Sequence, residues 1–332
     1  MIARRSLLAG ALGLAAMPTR GEDLTSFSIV TGGTVGTYFP IGGLIASALS
    51  NPPGSGACDD GRSCGVPGLV ATSVASNGSV SNVAAIASGS AQSAFVQSDI
   101  AYWAYTGSGI FDGRSKVDSL RAIASLFPES VHLVVRKGSG IRTVRDLRGK
   151  RVSLDEAGSG TLVDARLILA AYGLGERDIK PQFLPAQRVA DSFKNGTIDA
   201  FFSVSGWPQS SIMDLAVTTG IDLVPLVGPE VAALLKQYRF FSVDTIPDEA
   251  YRGVSGVTTI GVHALWLTSV KQPAPLIYQV TATLWNARTS KLLASGHVKG
   301  QVIRLQSALT GIGIPLHAGA EKFYKEQGLI KQ

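Results

Sequence analysis

From residue 27 onward the chain alternates short apolar, β-branched runs with longer stretches in which apolar residues recur every three or four positions. FSIVTG (27–32) predicts a strand, and a helical pattern follows over 40–49. LVATSVAS (69–76) leads into NGSVSNVAAIASG (77–89), and SAFVQ (93–97) leads into SDIAYWAYTG (98–107). LRAIASLF (120–127) and VHLVVR (131–136) predict two adjacent strands. Near residue 138 the texture becomes more charged, and a second strand–helix series begins. KRVSL (150–154), KPQFL (180–184), DAFFSV (199–204) and DLVPL (222–226) are its strands, with helical patterns between them. A long β-branched run occupies 251–267, and helical patterns over 276–287 and 318–327 end the chain.

Strands that alternate with helices predict an α/β fold with mostly parallel sheets. Two such series joined by long β-type crossings, near 128–136 and 255–266, predict two lobes linked by hinge strands. The divisions expected are 22–130 with 260–332 as lobe I and 131–259 as lobe II. The length of 332 residues fits two domains. No repeat, low-complexity tract or Pro-rich linker interrupts the pattern.

The first residues stand apart. Arg4 and Arg5 precede an apolar core from Leu7 to Ala16, followed by Pro18. That layout predicts a signal peptide over 1–21, possessing an arginine pair compatible with twin-arginine export, and a periplasmic mature protein. The longest apolar stretch, Leu7 to Met17, is too short for a spanning helix. Cys58 and Cys64 lie in a loop rich in Gly, Pro and Asp. In an oxidising compartment their simplest state is a local disulfide. A metal pair is the rival, with no His or third Cys nearby to complete it.

Hydrophobic residues at 45% and charged residues at 16% exclude intrinsic disorder. Lys and Arg number 30 against 24 Asp and Glu, and three of the 30 lie in the leader. The remaining basic residues are scattered, which argues against a nucleic-acid partner. The sequence has no nucleophile elbow, P-loop, dinucleotide fingerprint or zincin motif. Its four histidines, His132, His263, His297 and His317, are far apart, and the first two sit in apolar strands as structural histidines. Ser159 is the one imaginable nucleophile, without a neighbouring base in sequence. The expectation is a protein that is not an enzyme and carries no metal or cofactor.

What recurs is a strand ending in small polar residues at a helix start: GGTVGTY (32–38), SNGSVSN (76–82), QSD (97–99) and EAGSGTL (156–162). Free N–H groups and the helix dipole let such starts hold carboxylates or phosphates without a basic side chain. Each start is also an ordinary N-cap, and Asp99 reads as one. Four starts at strand ends would share one crevice. Tyr38 and Trp207 could line it, while Tyr102, Trp103 and Tyr105 suit a buried helix face.

These stretches resemble the TAXI family, the extracytoplasmic solute receptors of one class of TRAP transporter. The resemblance covers about 27–328 and rests on GGTVGTYFPIG (32–42), the 64–89 segment, FVQSDIAYWAYTGSG (95–109), DLRGKRVS (146–153), EAGSGTLVDARLIL (156–169), FKNGTIDAFF (193–202), GWP (206–208) and IPLHAGAEKFY (314–324). It implies a type II-like periplasmic-binding-protein fold, monomeric, closing over a small carboxylate or dicarboxylate and serving a membrane permease driven by an ion gradient. By the family pattern, Thr34, Thr37, Tyr38, Asn77, Ser79, Gln97 and Ser98 face the ligand from the first lobe. Ser159, Gly160 and Thr161 face it from the second, with Trp207 and Pro208 as a wall. The rival readings are a receptor for an ATP-driven importer or a sensor, an exported enzyme using Ser159, and a surface adhesin.

Overall fold

The computed structural model describes residues 24–53, 55 and 65–331. The signal segment and both cysteines lie outside the described residues, so neither expectation is examined by the fold. The strands are β1 (Thr25–Val30), β2 (Ser50–Asn51), β3 (Val66–Pro67), β4 (Leu69–Val74), β5 (Ser93–Gln97), β6 (Leu120–Arg136), β7 (Arg151–Ser153), β8 (Lys180–Gln182), β9 (Ala200–Ser205), β10 (Ile221–Leu223), β11 (Ser242–Ile246) and β12 (Val257–Ser269). The helices are α1 (Tyr38–Leu49), α2 (Ser79–Ser88), α3 (Ser98–Thr106), α4 (Gly160–Ala171), α5 (Ala186–Lys194), α6 (Ser210–Thr218), α7 (Pro229–Gln237), α8 (Ala274–Leu284), α9 (Ala287–Gly296) and α10 (Ala318–Glu326).

One sheet runs in the order β4-β1-β5-β12-β6-β9-β7-β8, with β10 on β6 and β11 on β12. β4, β1 and β5 are parallel to one another, as are β9, β7 and β8. The two parallel sets are joined by β6 and β12, which run antiparallel to each other from Leu120↔Ser269 to Ser130↔Gly261. At Ser130 the strand β6 takes up β9 as a partner, and β12 turns from β5 to β11 in the same way. Each long strand therefore belongs to both sets. The fold is the α/β arrangement that the alternation predicts: a sheet flanked by helices, with two strand–helix units on long crossing strands.

Residues 120–136 form one strand, where the sequence predicts two broken at Pro128. Proline lacks an N–H and is normally kept out of central strands. Here Pro128 pairs with His263 on one edge, and the opposite edge has no strand partner before Ser130. The missing donor falls where no ladder bond is required.

Each set has its own cores. Phe27 and Ile29 of β1 pack with Ile41 and Ile45 of α1, with Trp266 of β12, and with Ile277, Val280, Phe323 and Tyr324 of α8 and α10. The C-terminal helices thus return to the β1 side. Leu133 and Val135 of β6 pack with Val152, Ile168, Leu169, Phe202 and Leu234 on the other. Each such side chain contributes about 1.5–3 kcal/mol by leaving water. Among the described residues no helix is long and apolar enough to cross a membrane.

Candidate functional site

The loops after β1, β4 and β7 lead to α1, α2 and α4, whose first turns line one cleft between the two parallel sets, and β5 ends in it at Gln97. The helix starts are built from ordinary local chemistry. Ser159 caps α4 by accepting a hydrogen bond from the Leu162 N–H at 3.0 Å. Gly78, with φ of 110°, turns the chain into α2 at a conformation that suits glycine. A cavity of about 80 Å³ remains between the sets. Thr37, Tyr38, Asn77, Ser79 and Gln97 line it from the β1 side, and Ser159, Gly160, Thr161, Ser205 and Gln209 from the β9 side.

The two sides touch directly around this cavity. Thr37 Oγ1 donates to the Gly206 carbonyl at 2.7 Å, and Ser210 Oγ donates to the Val35 carbonyl at 3.0 Å. The first-turn N–H groups of Val80 and Ser81 both donate to the Gly158 carbonyl, at 3.0 and 3.1 Å. The α2 start, which the sequence offers as an anion holder, is thereby partly taken by the opposite side's backbone. Gln97 Nε2 donates to Asp164 Oδ2 at 3.0 Å, and the Lys299 ammonium lies 4.1 Å from the centre of the Trp207 ring. The arrangement is a closed cleft.

No basic side chain lines the cavity, but Glu129 and Asp155 do. Glu129, on β6, accepts a hydrogen bond from the Tyr38 hydroxyl at 2.6 Å. Burial pushes its carboxyl up to about 8, against the opposing pull of that bond. Asp155 is raised to about 7 by burial, opposed by the Glu156 N–H and by the hydroxyls of Ser159 and Thr161. Its φ of 75° is the one positive value on a non-glycine residue among those described. Aspartate tolerates that region better than most residues. Glu129 is therefore mostly protonated at neutral pH and Asp155 about half, and each in its neutral form can donate as well as accept hydrogen bonds.

The cleft floor is tied to a buried chain of polar groups. Gln209 Oε1 accepts from the hydroxyls of Ser203 and Ser205, at 2.7 and 2.8 Å, and its backbone N–H donates to the Tyr251 hydroxyl at 3.2 Å. Tyr251 in turn lies 2.9 Å from His132 Nε2, and His132 Nδ1 lies 2.9 Å from the Ser130 carbonyl. These partners fit a neutral imidazole with its proton on Nδ1, and burial lowers His132 to about 4. The histidine is structural.

Eight of the residues proposed from the sequence, Thr37, Tyr38, Asn77, Ser79, Gln97, Ser159, Gly160 and Thr161, are brought together around the cavity. Four are placed elsewhere. Thr34 is exposed on the loop. The Ser98 hydroxyl accepts from the His263 N–H of β12 at 3.2 Å and borders a separate groove with Tyr102 and Tyr238. Trp207 packs against the β9-side core under Lys299, and Pro208 follows it through a cis peptide bond. Asp99 is in the first turn of α3 but is fully buried and makes no side-chain cap.

Sequence reasoning missed Glu129, Asp155, Ser205 and Gln209. Glu129 did leave a signal, as the one acidic or basic residue between Arg121 and Arg136 apart from His132. Gln209 left none. Among the described residues no cluster of three or more His, Cys, Asp or Glu could hold a metal.

A polar cleft between two parallel strand sets on crossing strands is the site that this α/β fold defines. The chain belongs to the NMT1-like family, whose model matches residues 29–328. Its fold is shared with a solved protein of Bordetella bronchiseptica RB50 at 15% identity, covering 91% of this chain and 81% of that one, with a TM-score of 0.52. It is also similar to the alkanesulfonate-binding protein SsuA from Xanthomonas axonopodis pv. citri bound to MOPS, at 18% identity over 91% and 83% of the chains and a TM-score of 0.49. A mutant of ArgBP from T. maritima matches at 13% identity over 84% and 94%, with a TM-score of 0.46.

Proposed function

We propose that this protein is an extracytoplasmic solute receptor that is not an enzyme, closing over a small ligand and delivering it to a membrane transporter. The observation that carries this reading is the closed cleft on which the first turns of α1, α2 and α4 converge, with hydroxyls, amides and two carboxyls but no reactive assembly. Residues 22–130 with 260–332 and residues 131–259 are its two lobes, and β6 and β12 are the hinge. On this reading the ligand occupies the cavity of about 80 Å³ left between the sets, and it enters when the lobes open. Closure is driven only by the difference in affinity between the two states.

The ligand class we favour is a small carboxylate or dicarboxylate. Helix-start N–H groups and Ser and Thr hydroxyls attract its anion, and the raised carboxyls of Glu129 and Asp155 serve as neutral donors rather than as repelling charges. The transporter we favour is a TRAP-type permease, on the resemblance carried by residues 95–109 and 314–324. An ATP-driven importer is the second reading, since the cleft by itself favours neither kind of transporter.

A thermal-shift screen against carboxylates, amino acids, sulfonates and amines tests the proposal. A ligand at about 100 times its Kd adds about 2.7 kcal/mol, a rise of several degrees in Tm. A carboxylate hit that weakens in Thr161→Ala, with folding intact, supports the site and the class. A sulfonate or amine hit overturns the ligand class, and a hit unaffected by both Thr161→Ala and Tyr38→Ala overturns the site.

A further inference from the structure

We propose that Asp99 and Asp164 form a proton-sharing latch between the lobes, so that closure takes up a proton and the closed form gains over the open one as pH falls. Asp99 sits in the first turn of α3 on one side of the cleft, and Asp164 in the second turn of α4 on the other. Neither residue has measurable exposure. Three of their four carboxyl oxygens, Asp99 Oδ1, Asp99 Oδ2 and Asp164 Oδ1, receive no well-formed hydrogen bond from any N–H or O–H. The fourth, Asp164 Oδ2, accepts from Gln97 Nε2 at 3.0 Å. The Asp99 carboxyl is steadied by the backbone N–H groups of Ile100 and of Asp99 itself, too poorly aligned to satisfy it, and each carboxyl lies beside the other across the interface.

Two carboxylates side by side in a dry interface cannot both be ionised. With one proton between them, the contact becomes a charge-assisted O–H···O⁻ bond that pairs one oxygen of Asp99 with Asp164 Oδ1 and accounts for two of the three orphaned oxygens. Burial raises Asp99 to about 6 and Asp164 well above the ordinary range. The surrounding groups supply no counter-charge. Glu129, facing the pair from β6, makes ionisation of Asp164 harder still. Gln97 from β5 is neutral, and Tyr38 from α1 is bonded to Glu129. The nearest cation, Lys299, lies over Trp207 and acts on Glu129 and Asp244.

Opening separates α3 from α4 and returns each carboxyl to water, with its ordinary value of 3.8. The closed state then holds a proton that the open state has lost at any pH above about 4. Both carboxyls are raised in the closed form, so the latch is fully present below pH 4. It weakens as pH rises toward the closed-state values, by up to about tenfold in the closed-to-open ratio per pH unit for each proton.

Small-angle X-ray scattering of the purified protein, without added ligand, reads the closed fraction from the radius of gyration between pH 4.5 and 8.5. The expected result is progressive opening as pH rises, and a shallower profile in Asp164→Asn, in which only Glu129, Asp155 and the unpaired Asp99 remain as raised carboxyls. Asp99→Asn repeats the test should Asp164→Asn fail to fold. An open fraction that does not change with pH, or that changes as steeply in either variant as in the parent, overturns the latch while leaving the hinge. A radius fixed at the closed value in every protein and at every pH overturns the latch together with the hinge reading on which it rests.

Discussion

At Gly160 the start of α4 lies against Gln97 of β5, and on the two-lobe reading adding one methyl group there isolates closure from folding. A Cβ at Gly160 would stand 1.3 Å from Gln97 Oε1 and 2.5 Å from Gln97 Cδ, against an ordinary contact of 3.4–4 Å. The Gln97 amide would have to retreat by about 2 Å in an interface with no slack. It is not free to do so, because Gln97 Nε2 is bonded to Asp164 Oδ2 and Gln97 Oε1 to the Ser79 hydroxyl at 3.3 Å. Breaking the Asp164 contact strands a buried acceptor, at about 1–3 kcal/mol, and residual overpacking adds a similar amount. A total of about 3 kcal/mol falls on the closed state alone and corresponds to a loss of roughly a hundredfold in affinity. In the open state the methyl group faces water, and alanine is the better helix former. Gly160→Ala should therefore bind the solute found by thermal-shift screening about a hundredfold more weakly by calorimetry, with Tm unchanged or slightly raised. It should also scatter as a more open particle without ligand. Affinity within threefold of the parent would refute the claim that closure brings α4 onto Gln97.

Two buried groups set opposite pH dependences of stability. His132 is held at about 4, below its ordinary 6.5, so the unfolded chain takes up its proton first and stability is lost as pH falls from about 6.5 to 4. Because the raised carboxyls of Glu129 and Asp155 gain over the same range, the loss is read as a difference: in urea unfolding, His132→Gln should gain stability relative to the parent between pH 7 and pH 5, and no change would refute the assignment. Glu129 is raised from 4.5 to about 8, so its contribution is complete below about 4.5 and is lost as pH rises toward 8. Glu129→Gln keeps an acceptor for the Tyr38 hydroxyl, and at pH 9 it should be more stable than the parent by on the order of a few kcal/mol. Equal pH dependence of the two proteins would show that Glu129 is not buried as described.

The division between what could be read and what could not follows the range of the forces involved. The helix starts at 37–38, 78–79 and 159–161 were legible because capping is local: a strand, a small polar residue and a glycine specify that turn within a few positions. Their convergence also followed, since loops at parallel-strand ends share a crevice. Ser98 shows the limit of the same reasoning. It begins a helix as Ser159 does, yet its hydroxyl is turned to the His263 backbone because β12 happens to lie beside β5. Trp207 was assigned to the cleft by its neighbours in sequence, but the cation that covers it comes from Lys299, 92 positions away.

By itself, the sequence determined the α/β class, the two strand–helix series, the crossing segments and most of the polar residues of the cleft. Each of these depends on periodicity and turn chemistry over spans of ten residues or fewer. Only the tertiary structure decided that Pro128 is carried within one continuous strand and that Glu129 and Asp155 enter the cleft. It also brought Asp99 against Asp164. Burial of a charge is a property of everything packed around it, and here those surroundings come from helices and strands more than sixty residues apart. An acid in an apolar run marks a place where folding must solve an electrostatic problem; the partner that solves it is chosen by the packing.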